Sequence, residues 1–290
     1  QHQAIAEIRV DLARPHPMQR LLQGDVGSGK TIVAALAALQ AIENGFQVAI
    51  MAPTEILGEQ HFNKFSGWLT AFGVSVVWLA GNLARKQKRE TIAQVAAGEA
   101  QIAIGTHALF QDEVEFHNLG LAIVDEQHRF GVHQRLALRR KGTKSGSAAL
   151  PHQLMLSATP IPRTLAMSYY ADLDVSVIDE MPPGRTPVAT RLVSDARRNE
   201  VIQRVRDACV EGSQAYWVCP LIEESEALQL QTALDTYRRV AATFPELKVG
   251  LVHGRLAGAE KAAVMQSFRS GAIQLLVATT VIEVGVDVPN

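Results

Sequence analysis

Apolar runs of strand length alternate along this chain with longer segments of helical period. Met18–Gln23, Val48–Met51, Val74–Leu79, Ile102–Ile104, Leu121–Val124 and Leu154–Leu156 read as buried strands, and Ile32–Glu43, Glu55–Leu69 and Leu83–Ala97 as amphipathic helices between them. The strand runs show little period-2 alternation, which points to a parallel sheet covered by helices on both faces. The rhythm breaks near Asp179. Residues 181–187, Met-Pro-Pro-Gly-Arg-Thr-Pro, can continue neither a helix nor a central strand and read as a linker. The alternation then resumes, with Val188–Val193, Ala215–Cys219, Lys248–Val252 and Ile273–Ala278 as strands and Asp195–Val210, Ala227–Thr243 and Gly258–Phe268 as helices. The expectation is an α/β protein with one domain over residues 1–180 and a second over 188–290. The second reads as incomplete, because the chain stops just after a strand and its loop.

Composition adds limits. The 290 residues are 47% hydrophobic and 20% charged, the mix of a globular protein with a sizeable core. Two cysteines, Cys209 and Cys219, cannot form a disulfide scaffold; they read as buried apolar residues in a reducing compartment. The run Ile32–Ile42, broken by Gln40, is too short to cross a bilayer, which takes about 20 apolar residues. The first residues lack the apolar core of a signal peptide, so a cytoplasmic protein without a membrane partner is expected. A net charge of -1 carries no global sign of nucleic-acid binding. The basic runs 85–89 and 139–141 read as solvated faces, with contact to nucleic-acid phosphates as the alternative reading. Tyr216 and Trp217, in an apolar run, read as core.

Local chemistry is more telling. Gly24-Asp25-Val26-Gly27-Ser28-Gly29-Lys30-Thr31 fits the spacing G-x-x-x-x-G-K-[ST], directly after a predicted strand and opening a predicted helix. Glycines let successive backbone N–H groups turn onto phosphates, and the helix start adds its positive dipole end. Lys30 supplies a point charge for the β- and γ-phosphates, and the Thr31 hydroxyl can ligate Mg²⁺. Leu121-Ala122-Ile123-Val124-Asp125-Glu126 delivers two carboxylates at the end of a buried strand, where ligands bind in open α/β sheets. Asp125 is expected to hold Mg²⁺ through water, and Glu126 to orient or deprotonate an attacking water. These two motifs point to ATP or a related nucleotide without naming the work done with it; a kinase would fit the cradle equally well.

Further motifs narrow the class. Ala52-Pro53-Thr54-Glu55, Asp125-Glu126-Gln127-His128, Ser157-Ala158-Thr159, Val277-Ala278-Thr279-Thr280 and Gly285-Val286-Asp287 resemble, in order and position, the motor motifs of superfamily 2 helicases. Longer runs are similar to the RecG-type family of bacterial branch-migration helicases. They include Asp125 to Val132 (DEQHRFGV), Ala158 to Ala166 (ATPIPRTLA), Val177 to Pro187 (VIDEMPPGRTP) and Thr280 to Pro289 (TVIEVGVDVP). The likeness covers essentially the whole chain. Mfd-type transcription-repair translocases are the alternative; they share the Thr-Pro-Ile-Pro-Arg-Thr run but tend to read Asp-Glu-Glu-Gln after the strand.

The resemblance implies two RecA-like P-loop domains with parallel sheets and an ATP-dependent, DNA-acting motor that uses Mg²⁺. It implies branched DNA (replication forks and Holliday junctions) as partner, a monomeric motor, and a bacterial, nucleoid-associated setting in recombination and repair. Pro53, Thr54, Thr106 and Thr279 would contact DNA backbone. Gln127, His128, Ser157 and Thr159 would couple the γ-phosphate to domain movement, and Gly285 and Asp287 would approach the nucleotide from the second domain. Gln1 stands where such motors carry an adenine-reading glutamine. The arginines that complete such a site lie in a later segment, Gln-x-x-Gly-Arg-x-Gly-Arg, which this chain does not reach. By itself it is therefore expected to bind nucleotide with weak or no turnover.

Overall fold

The computed structural model describes residues 1–81, 83–126, 150–159, 173–180, 188–219 and 226–279. The chain divides into two compact units, Gln1–Arg185 and Thr186–Asn290.

In the first unit seven strands form one sheet. They are β1 (Gln19–Gly24), β2 (Gln47–Met51), β3 (Val76–Leu79), β4 (Ile102–Gly105), β5 (Leu119–Val124), β6 (His152–Ser157) and β7 (Asp174–Ile178), in the order β3-β4-β2-β5-β6-β1-β7. Every pairing in it is parallel. Strands β2, β4 and β5 are buried at every position, as the unbroken apolar runs require. The helices are α1 (His2–Leu12), α2 (Lys30–Glu43), α3 (Glu55–Leu69) and α4 (Arg85–Ala97). One apolar cluster joins α1 and α2 to Leu22, Ile50, Ile104, Ile123 and Leu156. A second joins Leu21, Met51, Ala103, Val124 and Met155 to Val95 of α4 and to Leu109, Val114 and Phe116. The two sets alternate along the strands, which identifies them as the two faces of the sheet.

Gln47 opens β2 in a fully buried setting and is well satisfied. Its Nε2 donates to the carbonyls of Val95 (2.9 Å) and Ala100 (2.7 Å), and its Oε1 accepts the N–H of Asn118 (2.9 Å). One side chain thus ties the end of α4 to the entrances of β2 and β5, closing backbone groups that no ladder reaches.

The second unit has three parallel strands, β8 (Ala215–Val218), β9 (Val249–Val252) and β10 (Leu275–Ala278), with β10 in the middle. Its helices are α5 (Arg198–Val210), α6 (Glu226–Thr243) and α7 (Gly258–Arg269). Cys209, Val240, Phe244, Leu247 and Leu275 form one core cluster, and Val252, Met265, Phe268 and Leu276 another. Both cysteines are buried thiols, as expected, and burial pushes the Cys209 thiol pKa up.

Three expectations change, and two elements stand outside them. Val188–Val193 is not a strand: it joins no ladder among the described residues, and Val188 and Leu192 are 77% and 104% exposed. An apolar run of the right length becomes a strand only where a neighbouring strand presents free N–H and C=O groups. Tyr216 is not core either. It lies on the exposed side of β8, which alternates in and out at the sheet edge, with its ring tilted at 53° against that of Phe268, centroids 4.7 Å apart. The helix expected at Asp195 begins with a 3₁₀ turn before α5. Helix α1 and strand β7 were not read from the pattern at all. The buried positions of α1 are Ala4, Ile8 and Asp11, and β7 is an edge strand with a buried serine. The linker at 181–187 lies outside the described residues. No helix among the described residues is long and apolar enough to cross a membrane.

A buried ionic cluster explains why α1 carries acids on its inner face. Arg20 of β1, 8% exposed, meets Asp11 at 2.7 Å and Glu7 at 3.2 Å, and donates to Ser176 of β7 at 2.8 Å. The Ser176 hydroxyl also donates to Glu7, which with help from Gln3 and Arg20 holds the Glu7 carboxyl below its usual pKa. Removing one partner of such a cluster strands the others: Arg20→Met should cost up to about 3–5 kcal/mol in urea unfolding of the first unit, because Glu7 would lose its cation and the buried Asp11 would keep only the exposed Arg14, at 2.9 Å.

His152 gives a second check. Its Nδ1 accepts the Met18 N–H at 3.0 Å, and burial pulls its pKa below the ordinary 6.5, with Asp11 pulling the other way. Below that ordinary value the unfolded chain takes up a proton that the folded chain refuses, so this group's stabilisation is lost as the pH falls through that window. Thermal midpoints at about pH 7.5 and about pH 5.5 should differ more for the wild type than for His152→Asn, whose amide oxygen can accept the same N–H without titrating.

Candidate nucleotide site

The cradle begins where β1 ends at Gly24 and closes where α2 begins at Lys30. Gly27 (φ 79°) and Gly29 (φ 96°) occupy the left-handed region that L side chains rarely adopt. Space is short as well. A Cβ on Gly29 would stand 2.2 Å from Nε2 of Gln1, whose amide donates to the Ser28 carbonyl at 2.8 Å. A Cβ on Gly24 would stand 2.6 Å from the Ser28 hydroxyl oxygen. The loop is wound by Ser28 N–H donating to the Asp25 carbonyl (3.1 Å) and Val26 N–H donating to the Asp25 carboxylate (2.7 Å).

Helix α2 starts without a capping side chain and with no acid in its first turn. Its leading N–H groups and positive dipole end therefore remain available to an anion. Lys30 folds back over the loop and donates to the carbonyls of Gly24 (2.7 Å) and Asp25 (3.0 Å). Burial lowers the pKa of its ammonium, while the charges of Asp125, Glu126 and Asp25 raise it. The Ser28 hydroxyl is buried with no hydrogen-bond partner among the described residues. A cradle with an orphaned hydroxyl, an uncapped helix start and a lysine held by weak carbonyl acceptors suits a phosphate chain.

The carboxylates stand at the same edge of the sheet. Asp125 and Glu126 follow β5 directly, and the Asp125 N–H donates to the Met51 carbonyl at 2.8 Å, extending the β2–β5 ladder by one bond. Glu126 is 6% exposed and takes φ 47°, the only non-glycine residue with positive φ among those described. A glutamate held in that region costs of order 1–3 kcal/mol, a cost that surrounding structure maintains mostly at functional sites. Ser157 ends β6, between β5 and the cradle strand, fully buried. Its hydroxyl oxygen accepts the Thr159 N–H at 3.2 Å and lies 3.1 Å from the Thr159 hydroxyl.

The remaining candidates separate. Pro53 and Thr54 follow β2, and the Thr54 hydroxyl caps α3 by accepting the Leu57 N–H at 3.4 Å. The Ala52 N–H donates to the Gly105 carbonyl (2.9 Å), which brings Pro53–Thr54 beside Thr106 on the same edge. Thr106 is 8% exposed. Thr279 belongs to the second unit, just past β10, and is 6% exposed. Gln127, His128, Gly285, Asp287 and the run 139–141 lie outside the described residues. In the other basic run, Arg85, Lys86 and Arg89 are exposed on α4, and Lys88 donates to Gln111 at 2.6 Å.

One residue in this site escaped the motif reading. His61 of α3 lies 2.7 Å from Asp125 through its Nε2. Its only signal in the sequence was a place on the buried stripe Leu57, Gly58, His61, Phe65, Leu69, which marks a core position without saying what it touches.

Known proteins can now be set beside this geometry. The DEAD/DEAH box helicase family model matches residues 1–168, and the helicase conserved C-terminal domain matches 197–290. The ATP-dependent DNA helicase RecG of Escherichia coli strain K12 is 60% identical across the whole chain, which covers 42% of that protein. Its Haemophilus influenzae counterpart is 58% identical over the same shares. The chain thus spans less than half the length of these relatives. Among solved structures, RecG bound to a three-way DNA junction aligns with 99% of this chain and 37% of its own length, at 45% identity and TM-score 0.75. Yeast Dbp5 bound to RNA and ADP BeF3 aligns at TM-score 0.72 but 16% identity, a likeness of fold alone. The expected architecture, RecA-like domains built on parallel sheets, is the one these neighbours share. A phosphate cradle, a carboxylate pair two strands along the same edge and a match over more than half the chain lead to one assignment: the chain belongs to the DEAD/DEAH box helicase family.

Proposed function

We propose that this chain is the motor portion of an ATP-dependent DNA helicase of RecG type, which remodels stalled replication forks and branch-migrates Holliday junctions. The observation that carries the nucleotide half is the shared electrostatic setting of Lys30 with Asp125 and Glu126, beside a loop in which Gly27 and Gly29 take the left-handed backbone that L side chains rarely adopt. The DNA half rests on relatives of 57–60% identity that are named as DNA helicases and on a neighbour solved on a branched junction. The same relatives favour RecG over the Mfd alternative.

In this reading residues 24–29 cradle the phosphates with backbone N–H groups, and Lys30 leaves its loop carbonyls for the β- and γ-phosphates. Thr31 and Asp125 would hold Mg²⁺, which when bound neutralises charge on the phosphate oxygens. Among the described residues no three His, Cys, Asp or Glu side chains are grouped to hold a metal by themselves. That suits an ion held by one carboxylate, one hydroxyl, water and the nucleotide. Glu126 orients water in line with the γ-phosphorus and takes its proton as the new P–O bond forms and ADP leaves. Gln127, His128, Ser157 and Thr159 relay the state of the γ-phosphate, while Gly285 and Asp287 reach the nucleotide from the second domain. Pro53, Thr54, Thr106 and Thr279 grip DNA backbone, which suits a motor indifferent to base sequence. The domains assigned to these roles are 1–180 and 188–290, joined by 181–187. The whole acts as a monomeric motor in the bacterial cytoplasm, at the nucleoid.

In the full-length protein that carries this motor, Glu126→Gln should lower kcat for ATP by about 10²–10⁴-fold while leaving ATP affinity within about 3-fold. Wild-type turnover in that variant would sink the assignment. DNA binding should fall linearly in log affinity against log salt, with similar slopes on unrelated sequences of the same branched shape; a strong sequence preference would contradict the backbone grip.

A further inference from the structure

His61 does more at this site than fill a core position. Asp125 has both carboxylate oxygens engaged by donors from different elements. Its Oδ1 accepts the Glu126 N–H at 3.0 Å, and its Oδ2 meets His61 Nε2 at 2.7 Å. Because an ionised carboxylate can only accept, Nε2 carries the proton in this bond. The side chains are 9% and 13% exposed, so water competes little for either. The other ring nitrogen, Nδ1, is buried without a hydrogen-bond partner among the described residues. The imidazole therefore directs its one bond to Asp125.

Its own position is closely set. Phe65, one turn further along α3, meets the imidazole edge-on with ring centroids 6.4 Å apart. The helix approaches the sheet closely because residue 58 is glycine, where a Cβ would lie 2.4 Å from the Trp78 ring. Asp125 is tied from the backbone side by its bond to Met51. A helix that begins at Thr54 thus delivers a rigid donor to the carboxylate that ends β5.

We propose that His61 is a positioning residue for the metal-bound nucleotide: it donates from Nε2 to Asp125 and holds that carboxylate in the orientation that receives the ion. The proposal rests on the reading of Asp125 as the metal-side carboxylate. Outer partners of ligating groups typically contribute 10–100-fold to metal affinity or activity. A pair that merely filled the core would contribute to stability and leave metal affinity alone.

Two substitutions separate these roles. Glutamine sets its amide nitrogen about where Nε2 lies, whereas asparagine sets it about where Nδ1 lies, short of Asp125. Mn²⁺ binding to the ADP-loaded full chain, read from loss of the free-Mn²⁺ resonance signal, should stay within about 3-fold of wild type in His61→Gln. It should weaken about 10–100-fold in His61→Asn. ADP affinity without metal should be unchanged in both. His61→Leu, which fills the site without a donor, should behave as His61→Asn and replaces it if that variant does not fold. Wild-type Mn²⁺ affinity in the non-donating variants, or equal weakening in Gln and Asn, would overturn the proposal. An Asp125→Asn variant with wild-type Mn²⁺ affinity would overturn it too, and the reading of Asp125 with it.

Discussion

Parallel pairing is the constraint from which the rest of this molecule follows. Two parallel strands cannot be joined by a tight turn, so each strand of the first unit must be reached by a crossover that returns the chain to the opposite edge. All strand ends of one kind then share one edge. Gly24, Met51, Gly105, Val124 and Ser157 are such ends, and the loops beyond them carry the cradle, Pro53–Thr54, Thr106, the two carboxylates and Thr159. Residues scattered over more than a hundred positions meet because the sheet leaves them no other place. The same pairing buries both faces, which is why the central strands are apolar throughout and why polar side chains within them are few.

Those few are informative in opposite ways at the two edges. At the entrances Gln47 and Arg20 are satisfied: Gln47 closes three backbone groups, and Arg20 has Asp11, Glu7 and Ser176 around it. The second unit repeats the device, with Gln214 donating to the Phe268 and Ile273 carbonyls and Gln274 accepting the Lys248 N–H. At the exits the polar groups are less completed. The Ser28 hydroxyl has no partner among the described residues, Glu126 sits at positive φ, and Lys30 is partly desolvated beside three carboxylates. Buried polar groups that are fully paired hold a fold together, and incompletely met ones at a shared edge suit a ligand that completes them.

Local chemistry was the most legible part of the sequence. The cradle announces itself because left-handed glycines, a lysine and a hydroxyl at fixed spacing between a strand and a helix answer one physical need. Central strands such as Val48–Met51 and helices such as α3 were readable because burial on two faces or one stripe leaves a periodic trace. The misses share a cause. Val188–Val193 has the composition of a strand and no neighbour to pair with. Strand β7 and helix α1 bury Ser176 and Asp11 where an apolar residue would have marked them, because their inner faces meet Arg20 rather than more hydrocarbon. Tyr216 was misplaced because an edge strand exposes one of its sides.

His61 shows the division most clearly. A histidine on an apolar stripe is a core residue by pattern, and nothing within four residues of it mentions Asp125, 64 positions away. Sequence alone determined the α/β class, the nucleotide cradle, the carboxylate pair and the resemblance to a helicase motor, since each depends on contacts between near neighbours or on a repeating pattern. Only the tertiary structure decided which strands adjoin, that acids on α1 answer an arginine on β1, and that a helix following β2 reaches the carboxylate following β5. Those pairings are set by sheet order, and sheet order is a property of the whole folded chain that no local run of residues encodes.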